Sequence, residues 1–284
     1  AIQAGCQAFF GYPITPQSEI PEYFSRELPP RGGLFLQAES EMAAMNMVMG
    51  ASAAGGRVMT STSGPGFCLK LEALAAMTLT RLPAVIVVVM RSGPAFGTMK
   101  AAQEDYRMCG NGGYRVVTMA PSDVQEAASM VYEAFDIADQ YRNPVVILAD
   151  GMIGQMMGAV DFDRMPPRRE NLPDKDWALR GSDARGGKPQ AILFPVGTAH
   201  YIEKNIAETE LYPALIANET RVESIGVEDA DIVLAAYGTA SRMCRAAMET
   251  LKGELKLGLI RPKTLWPFPY EAFEAVNPKC KAII

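Results

Sequence analysis

The sequence lacks the closely spaced cysteines from which metal centres are built. Its five cysteines lie far apart and form no CxxC pair, whereas zinc sites and iron–sulfur clusters need thiolates at short spacing. We therefore expect no metal site in this chain, and any redox centre that it serves must lie on another polypeptide. Histidine is scarce too: His200 is the only one, which argues against serine–histidine catalysis.

Long hydrophobic runs and an excess of positive charge are also missing. No apolar run approaches the roughly 20 residues that span a bilayer, and no signal-peptide pattern opens the chain. These features predict a cytoplasmic protein without a membrane segment. The formal net charge is −5, whereas nucleic-acid binding needs a concentrated basic face. We therefore expect no nucleic-acid partner.

The length and the apolar pattern predict two α/β units. The chain has 284 residues, and short apolar runs alternate with longer helical ones, as in parallel α/β layers. We expect a first domain over residues 1–158, a connecting segment with little core over 159–224, and a second, smaller domain over 225–284. The chain begins without methionine in an amphipathic run and stops in an apolar one, so both ends are expected to be incomplete.

The individual elements follow from the same pattern. The predicted strands are residues 7–12, 57–61, 83–91, 114–119, 144–150, 231–237 and 255–261, with a final strand at the end of the chain. The predicted helices are residues 16–26, 39–54, 67–80, 122–141 and 239–251, with a short helix from Tyr270. The strand 83–91 is almost entirely β-branched, which predicts burial on both faces of a sheet.

The run Gly11-Tyr-Pro-Ile-Thr-Pro-Gln-Ser-Glu19 follows the first predicted strand. Threonine can cap free N–H groups and proline is tolerated at the first helical position, so Thr15-Pro16 predicts a helix start. A capped helix at the carboxyl end of a strand is where α/β folds bind ligands. From spacing alone, an ordinary helix N-terminus with no role in ligand binding is an equally good interpretation.

The second predicted helix carries two acids, Glu39 and Glu41. On a helical wheel, positions 41, 45, 48 and 52 share one face and positions 39, 43, 46, 50 and 53 share another, and both faces are small or apolar. A helix that is apolar all round is buried, so at least one of the acids is expected to be desolvated. The periodicity does not decide which one, and the helix dipole favours Glu39 near the N-terminus.

Two further segments are candidate ligand contacts. The turn Thr60-Ser-Thr-Ser-Gly-Pro-Gly66 joins a strand to a helix with small residues, so Ser63 and Gly64 are candidate cofactor contacts, although a tight structural turn explains it as well. Arg91 follows the buried strand and suits bidentate carboxylate binding, with a surface salt bridge as the alternative. Asp150-Gly151 lacks the companion asparagines of a metal–diphosphate motif, so we assign it no metal.

Several of these segments together resemble the alpha subunit of the 2-oxoacid:ferredoxin oxidoreductases. The shared motifs, in order along nearly the whole chain, are GYPITPQSEIPEYF, QAESEMAAMNMVMGASAAGGR, TSTSGPGF, VVVMRSGP followed by QEDY, and GLIRPKTLWPFP. Within the family, QSEIPEYF, QAESE and DGMIGQMM are most similar to the branched-chain enzyme, which acts on 2-oxoisovalerate (3-methyl-2-oxobutanoate).

The resemblance implies a fold and a set of roles. The first domain becomes a thiamine diphosphate pyrimidine-binding domain, and the second a transketolase C-terminal-like domain. The glutamate that hydrogen-bonds the aminopyrimidine ring falls on Glu41. The substrate-contacting threonine falls on Thr15, the proline near the pyrimidine on Pro13, and the substrate arginine on Arg91.

The resemblance also implies the reaction and the partners. A beta subunit supplies the diphosphate and magnesium site, and a further subunit carries the iron–sulfur clusters. The complex decarboxylates a 2-oxoacid oxidatively, passes the acyl group to coenzyme A and reduces ferredoxin. No second basic residue is evident near Thr15 or Arg91, which favours an apolar substrate. The alternatives are 2-oxoglutarate, pyruvate or an aryl pyruvate as substrate, or a non-catalytic assembly subunit.

Overall fold

Two sheets organise the chain in a computed structural model, which describes residues 1–92, 98–109 and 114–284. The strands are β1 (Ala8–Gly11), β2 (Leu34–Gln37), β3 (Val58–Thr62), β4 (Val85–Met90), β5 (Val117–Met119), β6 (Val145–Asp150), β7 (Val222–Ile225), β8 (Ile232–Ala235), β9 (Leu257–Pro262), β10 (Thr264–Trp266) and β11 (Ala282–Ile283). The helices are α1 (Glu19–Glu27), α2 (Glu41–Ala53), α3 (Gly64–Leu79), α4 (Val124–Tyr141), α5 (Gly151–Gln155), α6 (Thr198–Ile206), α7 (Tyr212–Glu219), α8 (Gly238–Thr250) and α9 (Glu271–Glu274).

The larger sheet has the strand order β10-β5-β6-β4-β3-β1-β2. Its strands from β1 to β6 pair in parallel, and β10 joins the edge at β5 in the antiparallel direction. The smaller sheet has the order β11-β8-β9-β7, in which β11, β8 and β9 are parallel and β7 is antiparallel. The predicted class, α/β with two parallel-sheet units, is confirmed, whereas the pattern did not predict the edge strands β2, β7 and β10.

The core lies on both faces of the larger sheet, as its central strand shows. All of β4 is buried, and its residues alternate between the two sides. Val87 faces the layer formed with α1 and α4, which holds Phe9 and Phe135, whereas Val88 faces the layer formed with α2 and α3. The prediction that this β-branched strand is buried on both faces is confirmed.

The connecting segment contains more structure than predicted. Leu211, which directly precedes α7, and Tyr212 and Leu215 within α7 are buried in the core, so this end of the segment packs against the larger sheet. The segment is also held to α4, because Arg168 pairs with Asp136 and Lys175 pairs with Asp139 at 2.7 Å. Arg168 and Lys175 are thus counter-ions for buried carboxylates.

The two sheets are joined through side chains as well as through β10. The Asp150 carboxylate accepts the Ile153 N–H at the start of α5 and both the N–H and the hydroxyl of Thr239 at the start of α8, the last two at 2.7 Å. The predicted boundary between residues 224 and 225 falls inside β7, and the division into 1–158, 159–224 and 225–284 stays a prediction. Within the described residues, no helix combines the length and apolarity needed to cross a membrane.

Candidate functional site

The predicted site residues meet where the larger sheet changes winding direction. From β1 the chain passes to β2 on one side and then returns to β3 on the other. Helix α1, which follows β1, packs on one face, whereas α3, which follows β3, packs on the opposite face. A crevice opens between such loops at the carboxyl edge of the sheet, and ligands of α/β proteins bind there.

Glu41 is the first residue of α2 and is the buried acid of the two candidates. It is 5% exposed, whereas Glu39 is exposed. The helix starts here because the Ser40 hydroxyl accepts the Ala43 N–H at 3.1 Å. Among the described residues, none donates a hydrogen bond to the Glu41 carboxylate.

The two predicted faces of α2 differ in burial. Glu41, Met45, Val48 and Ser52 are all buried, as the helical wheel predicts for the first face. The second face is not buried: Asn46 and Gly50 are exposed, so that part of the prediction is wrong. Alanine and glycine side chains bury little apolar area, so exposing them costs little free energy.

The turn between β3 and α3 provides unpartnered hydroxyls next to Glu41. The side chains of Thr62 and Ser63 are fully buried, and their oxygens have no partner in the described chain. A Cβ at Gly66 would overlap both the Glu41 carboxylate and the Thr62 hydroxyl, so glycine is required for this close approach. Gly64 has φ +44° and directs its N–H to Asp105 at 3.1 Å.

Thr15 does not start a helix, contrary to the prediction. Helix α1 begins at Glu19, with Ser18 as its preceding residue. The intervening residues form a turn because the Gln17 side chain is buried, donates to the Tyr12 carbonyl at 3.2 Å and accepts from the Ser61 hydroxyl. Glu19 then lies in the first helical turn, where the helix dipole favours an acid.

Arg91 and Thr15 are brought together, as the sequence predicts from the position of each at a strand end. One guanidinium nitrogen of Arg91, Nη1, donates to the Thr15 carbonyl at 3.0 Å. Its Nε is buried without an acceptor in the described chain. Pro13 and Thr15 are both exposed at this edge. Residues 93–97, in the motif that follows Arg91, lie outside the described residues.

Asp105 is a site residue to which the sequence analysis gave no role. It is fully buried, and one of its oxygens, Oδ2, accepts the main-chain N–H of Gly64 at 3.1 Å and that of Arg91 at 3.2 Å. Burial raises the pKa of this carboxyl. A single carboxyl therefore joins the loop after β3 to the loop after β4. Its presence in the QEDY motif was the only sequence signal.

Lys70 is the second residue that sequence reasoning missed. It is fully buried in α3, and its Nζ donates to the Glu41 main-chain oxygen at 3.2 Å and to the Thr60 hydroxyl at 3.1 Å. Burial lowers the pKa of Lys70 to about 8, against the opposing effect of Glu41. A lysine in the middle of a helix is usually solvent-facing, so its residue type gave no hint of this environment.

The arrangement fits one edge of an aminopyrimidine ring. Such a ring presents both donors and acceptors, and the site offers the Glu41 carboxylate, which is 5% exposed, together with the hydroxyls of Thr62 and Ser63, which have no partner in the described chain. The site lies at an open edge of the sheet. A cavity of about 640 Å³ lies instead on the face between α1 and α4 and contains none of the predicted site residues.

Comparison with known families identifies the two parts of the chain. Residues 1–224 match the family described as pyruvate flavodoxin/ferredoxin oxidoreductase, thiamine diphosphate-binding. Residues 230–284 match the pyruvate:ferredoxin oxidoreductase core domain II. The first match covers most of the chain and includes every predicted site residue.

Relatives with assigned names agree with these matches. The chain is 47% identical over 277 residues to the ketoisovalerate oxidoreductase subunit VorB of Methanothermobacter marburgensis, covering 95% of this chain and 78% of the relative. It is 35% identical over 304 residues to the 2-oxoglutarate synthase subunit KorA of Methanocaldococcus jannaschii, covering 98% of this chain and 83% of the relative.

A solved structure has the same fold. The 2-oxoglutarate:ferredoxin oxidoreductase from Magnetococcus marinus, with 2-oxoglutarate, coenzyme A and succinyl-CoA bound, superimposes with a TM-score of 0.82 at 27% identity. The alignment covers 99% of this chain and 55% of that one, so this chain spans about half of its length. This chain therefore belongs to the 2-oxoacid:ferredoxin oxidoreductase family and contains its thiamine diphosphate-binding domain.

Proposed function

We propose that this chain is the alpha subunit of an enzyme that converts 2-oxoisovalerate, coenzyme A and oxidised ferredoxin into isobutyryl-CoA, carbon dioxide and reduced ferredoxin. The observation that carries the proposal is the Glu41 carboxylate, which is 5% exposed and has no hydrogen-bond donor in the described chain. A carboxylate buried without a partner is costly. Binding of a ring that hydrogen-bonds to it would remove that cost.

Glu41 is the residue to which we assign proton exchange with the cofactor. When bound, thiamine diphosphate supplies the carbon nucleophile that attacks the 2-oxo group and the electron sink for decarboxylation. Glu41 would accept or donate a proton at the pyrimidine nitrogen, while Thr62 and Ser63 offer hydroxyls beside it. Pro13 and Gly64 complete the loops that border this edge, with Gly64 approaching through its Cα because Asp105 accepts its N–H.

We assign binding of the substrate carboxylate to Arg91 and Thr15. The Arg91 guanidinium has one nitrogen fixed by the Thr15 carbonyl and a buried Nε without a protein acceptor. A charged donor with unused N–H groups favours a bidentate carboxylate. The exposed Thr15 hydroxyl lies on the same edge and would donate a further hydrogen bond.

A partner chain is needed to complete this site. The edge is open, and the face of α2 next to Glu41 exposes Met42, Asn46 and Gly50. We propose that a beta subunit covers this edge and holds the diphosphate and magnesium, and that another subunit carries the iron–sulfur clusters. The five cysteines of this chain are free thiols. Free thiols are typical of the reducing cytoplasm, where we place the complex.

The most specific part of the proposal is that the preferred 2-oxoacid has a branched side chain. Identity to two ketoisovalerate oxidoreductase subunits is 45–47%, against 35% or less to the 2-oxoglutarate synthase subunits. Relatives in the second group and the superimposable structure act on 2-oxoglutarate, by their names, so that acid is the main competing substrate. Discrimination by an apolar pocket is typically modest, so a panel of substrates must be compared quantitatively.

The experiment is anoxic co-purification of this chain with its neighbouring subunits, followed by two measurements. Calorimetry gives the affinity for thiamine diphosphate, and reduction of a viologen dye gives kcat/KM for 2-oxoisovalerate, pyruvate, 2-oxoglutarate and an aryl pyruvate. We expect cofactor binding by the complex, none by the isolated chain, and the highest kcat/KM with 2-oxoisovalerate. Preference for another 2-oxoacid would overturn the substrate assignment alone. A complex that assembles without binding cofactor would identify a non-catalytic assembly subunit.

A further inference from the structure

Lys70 occupies an environment that lysine seldom occupies. It is fully buried in α3, and Phe67 and Leu74 on the same helix belong to the apolar core. Fully buried lysines are rare unless they are paired, because an ammonium loses its hydration on burial. Here the ammonium has two hydrogen-bond acceptors, the main-chain oxygen of Glu41 at 3.2 Å and the hydroxyl of Thr60 at 3.1 Å.

The charged group that faces Lys70 is Glu41. Helix α2 carries no other charged residue, and neither β3 nor β4 carries any. Glu72 on α3 itself is exposed. The other two helices packed against α3 carry several ionisable residues, namely Glu104, Asp105, Tyr106 and Arg107 on the short helix before Cys109, and His200, Tyr201, Glu203 and Lys204 on α6. Of all these residues, Glu41 is the one that the Lys70 ammonium contacts, through the main-chain oxygen at 3.2 Å.

The Lys70 ammonium leaves the Glu41 carboxylate oxygens unoccupied. Within the described chain, Lys70 contacts Glu41 through its main-chain oxygen, and no ion pair joins the two side chains. A buried cation still acts on a nearby anion, because screening by water is weak in the interior. A direct ion pair would occupy the carboxylate oxygens, whereas this arrangement leaves them available to a ligand.

We propose that Lys70 is a positioning residue for Glu41: its buried ammonium anchors the first turn of α2 and holds the Glu41 carboxylate ionised before the cofactor binds. The inference rests on the proposed function, since it assigns Lys70 to the same site. An ionised Glu41 carries no proton, so a proton must be taken up when Glu41 and a pyrimidine nitrogen form a hydrogen bond in which they share one. The charge of Lys70 therefore determines whether cofactor binding is accompanied by uptake of a proton from solvent.

Proton uptake on cofactor binding tests this directly. The assembled complex is titrated with thiamine diphosphate by calorimetry in buffers of different ionisation enthalpy, which yields the number of protons taken up at each pH. Because loss of a nearby cation raises the pKa of a carboxyl, Lys70→Met should move the midpoint of the uptake curve upward by about one pH unit. Lys252→Met, at an exposed lysine just after α8, is the matched control and should follow the wild type.

Two further variants separate the possible outcomes. Lys70→Gln replaces the ammonium with a neutral polar group and should shift the curve like Lys70→Met, which keeps the test open if the methionine variant does not assemble. Glu41→Gln should abolish proton uptake at every pH. Uptake curves of the neutral Lys70 variants that superimpose on the wild type would overturn the proposal. Absence of cofactor binding by the wild-type complex would instead refute the proposed function.

Discussion

The guanidinium of Arg91 donates to the main-chain oxygen of Thr15 at 3.0 Å and so ties the loop after β4 to the loop after β1. These two residues are 76 positions apart in the sequence. The contact uses one nitrogen of Arg91 and leaves the buried Nε without an acceptor in the described chain. The contact therefore fixes one end of the guanidinium without using all of its donors.

Replacement of this guanidinium should weaken substrate use specifically. Lysine preserves the charge but not the planar pair of donors, so we expect Arg91→Lys to lower kcat/KM for the 2-oxoacid by about 100-fold, mainly through a higher KM. Thiamine diphosphate affinity should stay within about twofold of the wild type, because the residue contacts the substrate in our proposal. Arg26→Lys, at an exposed residue of α1, is the matched control. Equal loss of cofactor affinity would contradict the assignment.

The two acids near the start of α2 give a paired test. Glu41 is buried and Glu39 is exposed. Glu41→Gln keeps the shape but removes proton transfer, which is expected to lower kcat by about 1,000-fold in the assembled enzyme. Glu39→Gln should leave kcat and the thermal midpoint unchanged. Dye-reduction assays of both variants measure kcat, and melting curves check that each variant is folded. Comparable losses of kcat at the two positions would refute a special role for Glu41.

Asp105 should tolerate asparagine and not alanine. One of its oxygens accepts the N–H groups of Gly64 and Arg91, and an amide oxygen can do the same. Loss of that acceptor in Asp105→Ala leaves two inward N–H groups unsatisfied and should cost about 2 kcal/mol in the free energy of unfolding. Urea titrations of both variants provide the comparison.

Asp105 should also make the stability of the fold depend on pH. The folded pKa of Asp105 is raised by burial, so its contribution to stability is complete at low pH and is lost as the pH rises through the folded pKa. Asparagine has no such titration. The stability of Asp105→Asn relative to the wild type should therefore increase from acid toward neutral pH. A constant difference between the two across this range would show that Asp105 does not titrate differently on folding.

The sequence predicted the sheet and the positions of the site loops, because these depend on local patterns. The apolar run of β4 and the wheel of α2 each contain their own evidence of burial, and strand ends fix where Thr15, Ser63 and Arg91 emerge. These three strand-end segments come from distant parts of the chain. The residue Glu41 itself was chosen by family resemblance, and the structure shows that it is the buried one.

The supporting residues could not be predicted from local patterns. Asp105 contacts Gly64 across 41 positions, and Lys70 contacts Glu41 across 29. Each of these side chains is charged, and a charged residue on a helix is usually exposed. The same limit explains the wrong helix start at Thr15: the turn there is held by Gln17, whose partner Ser61 is 44 positions away.

The last prediction concerns the ion pair between Glu126 of α4 and Arg261 of β9, which connects the two sheet units. Arg261 donates to both Glu126 oxygens, at 2.8 and 2.9 Å, and its side chain is 4% exposed. Burial by itself would raise the pKa of Glu126, but hydrogen bonds from Arg261 and the Ser122 N–H outweigh it and lower the pKa to about 2. The carboxylate therefore stabilises the fold fully above its ordinary pKa of 4.5 and loses that effect as the pH falls toward about 2.

Glu126→Gln should consequently cost about 2 kcal/mol in the free energy of unfolding at neutral pH, because it removes one of the two carboxylate partners of the buried Arg261, the other being Glu223 at 2.7 Å. The difference from the wild type should shrink as the pH is lowered from about 5 toward 2, since the wild-type carboxylate becomes protonated over that interval. Asp229→Asn removes an exposed partner of Lys256 and should change stability by less than about 0.5 kcal/mol at any pH. Denaturant unfolding across this range measures both, and a pH-independent cost of Glu126→Gln would mean that packing, and not the charge pair, joins the two sheets at this point.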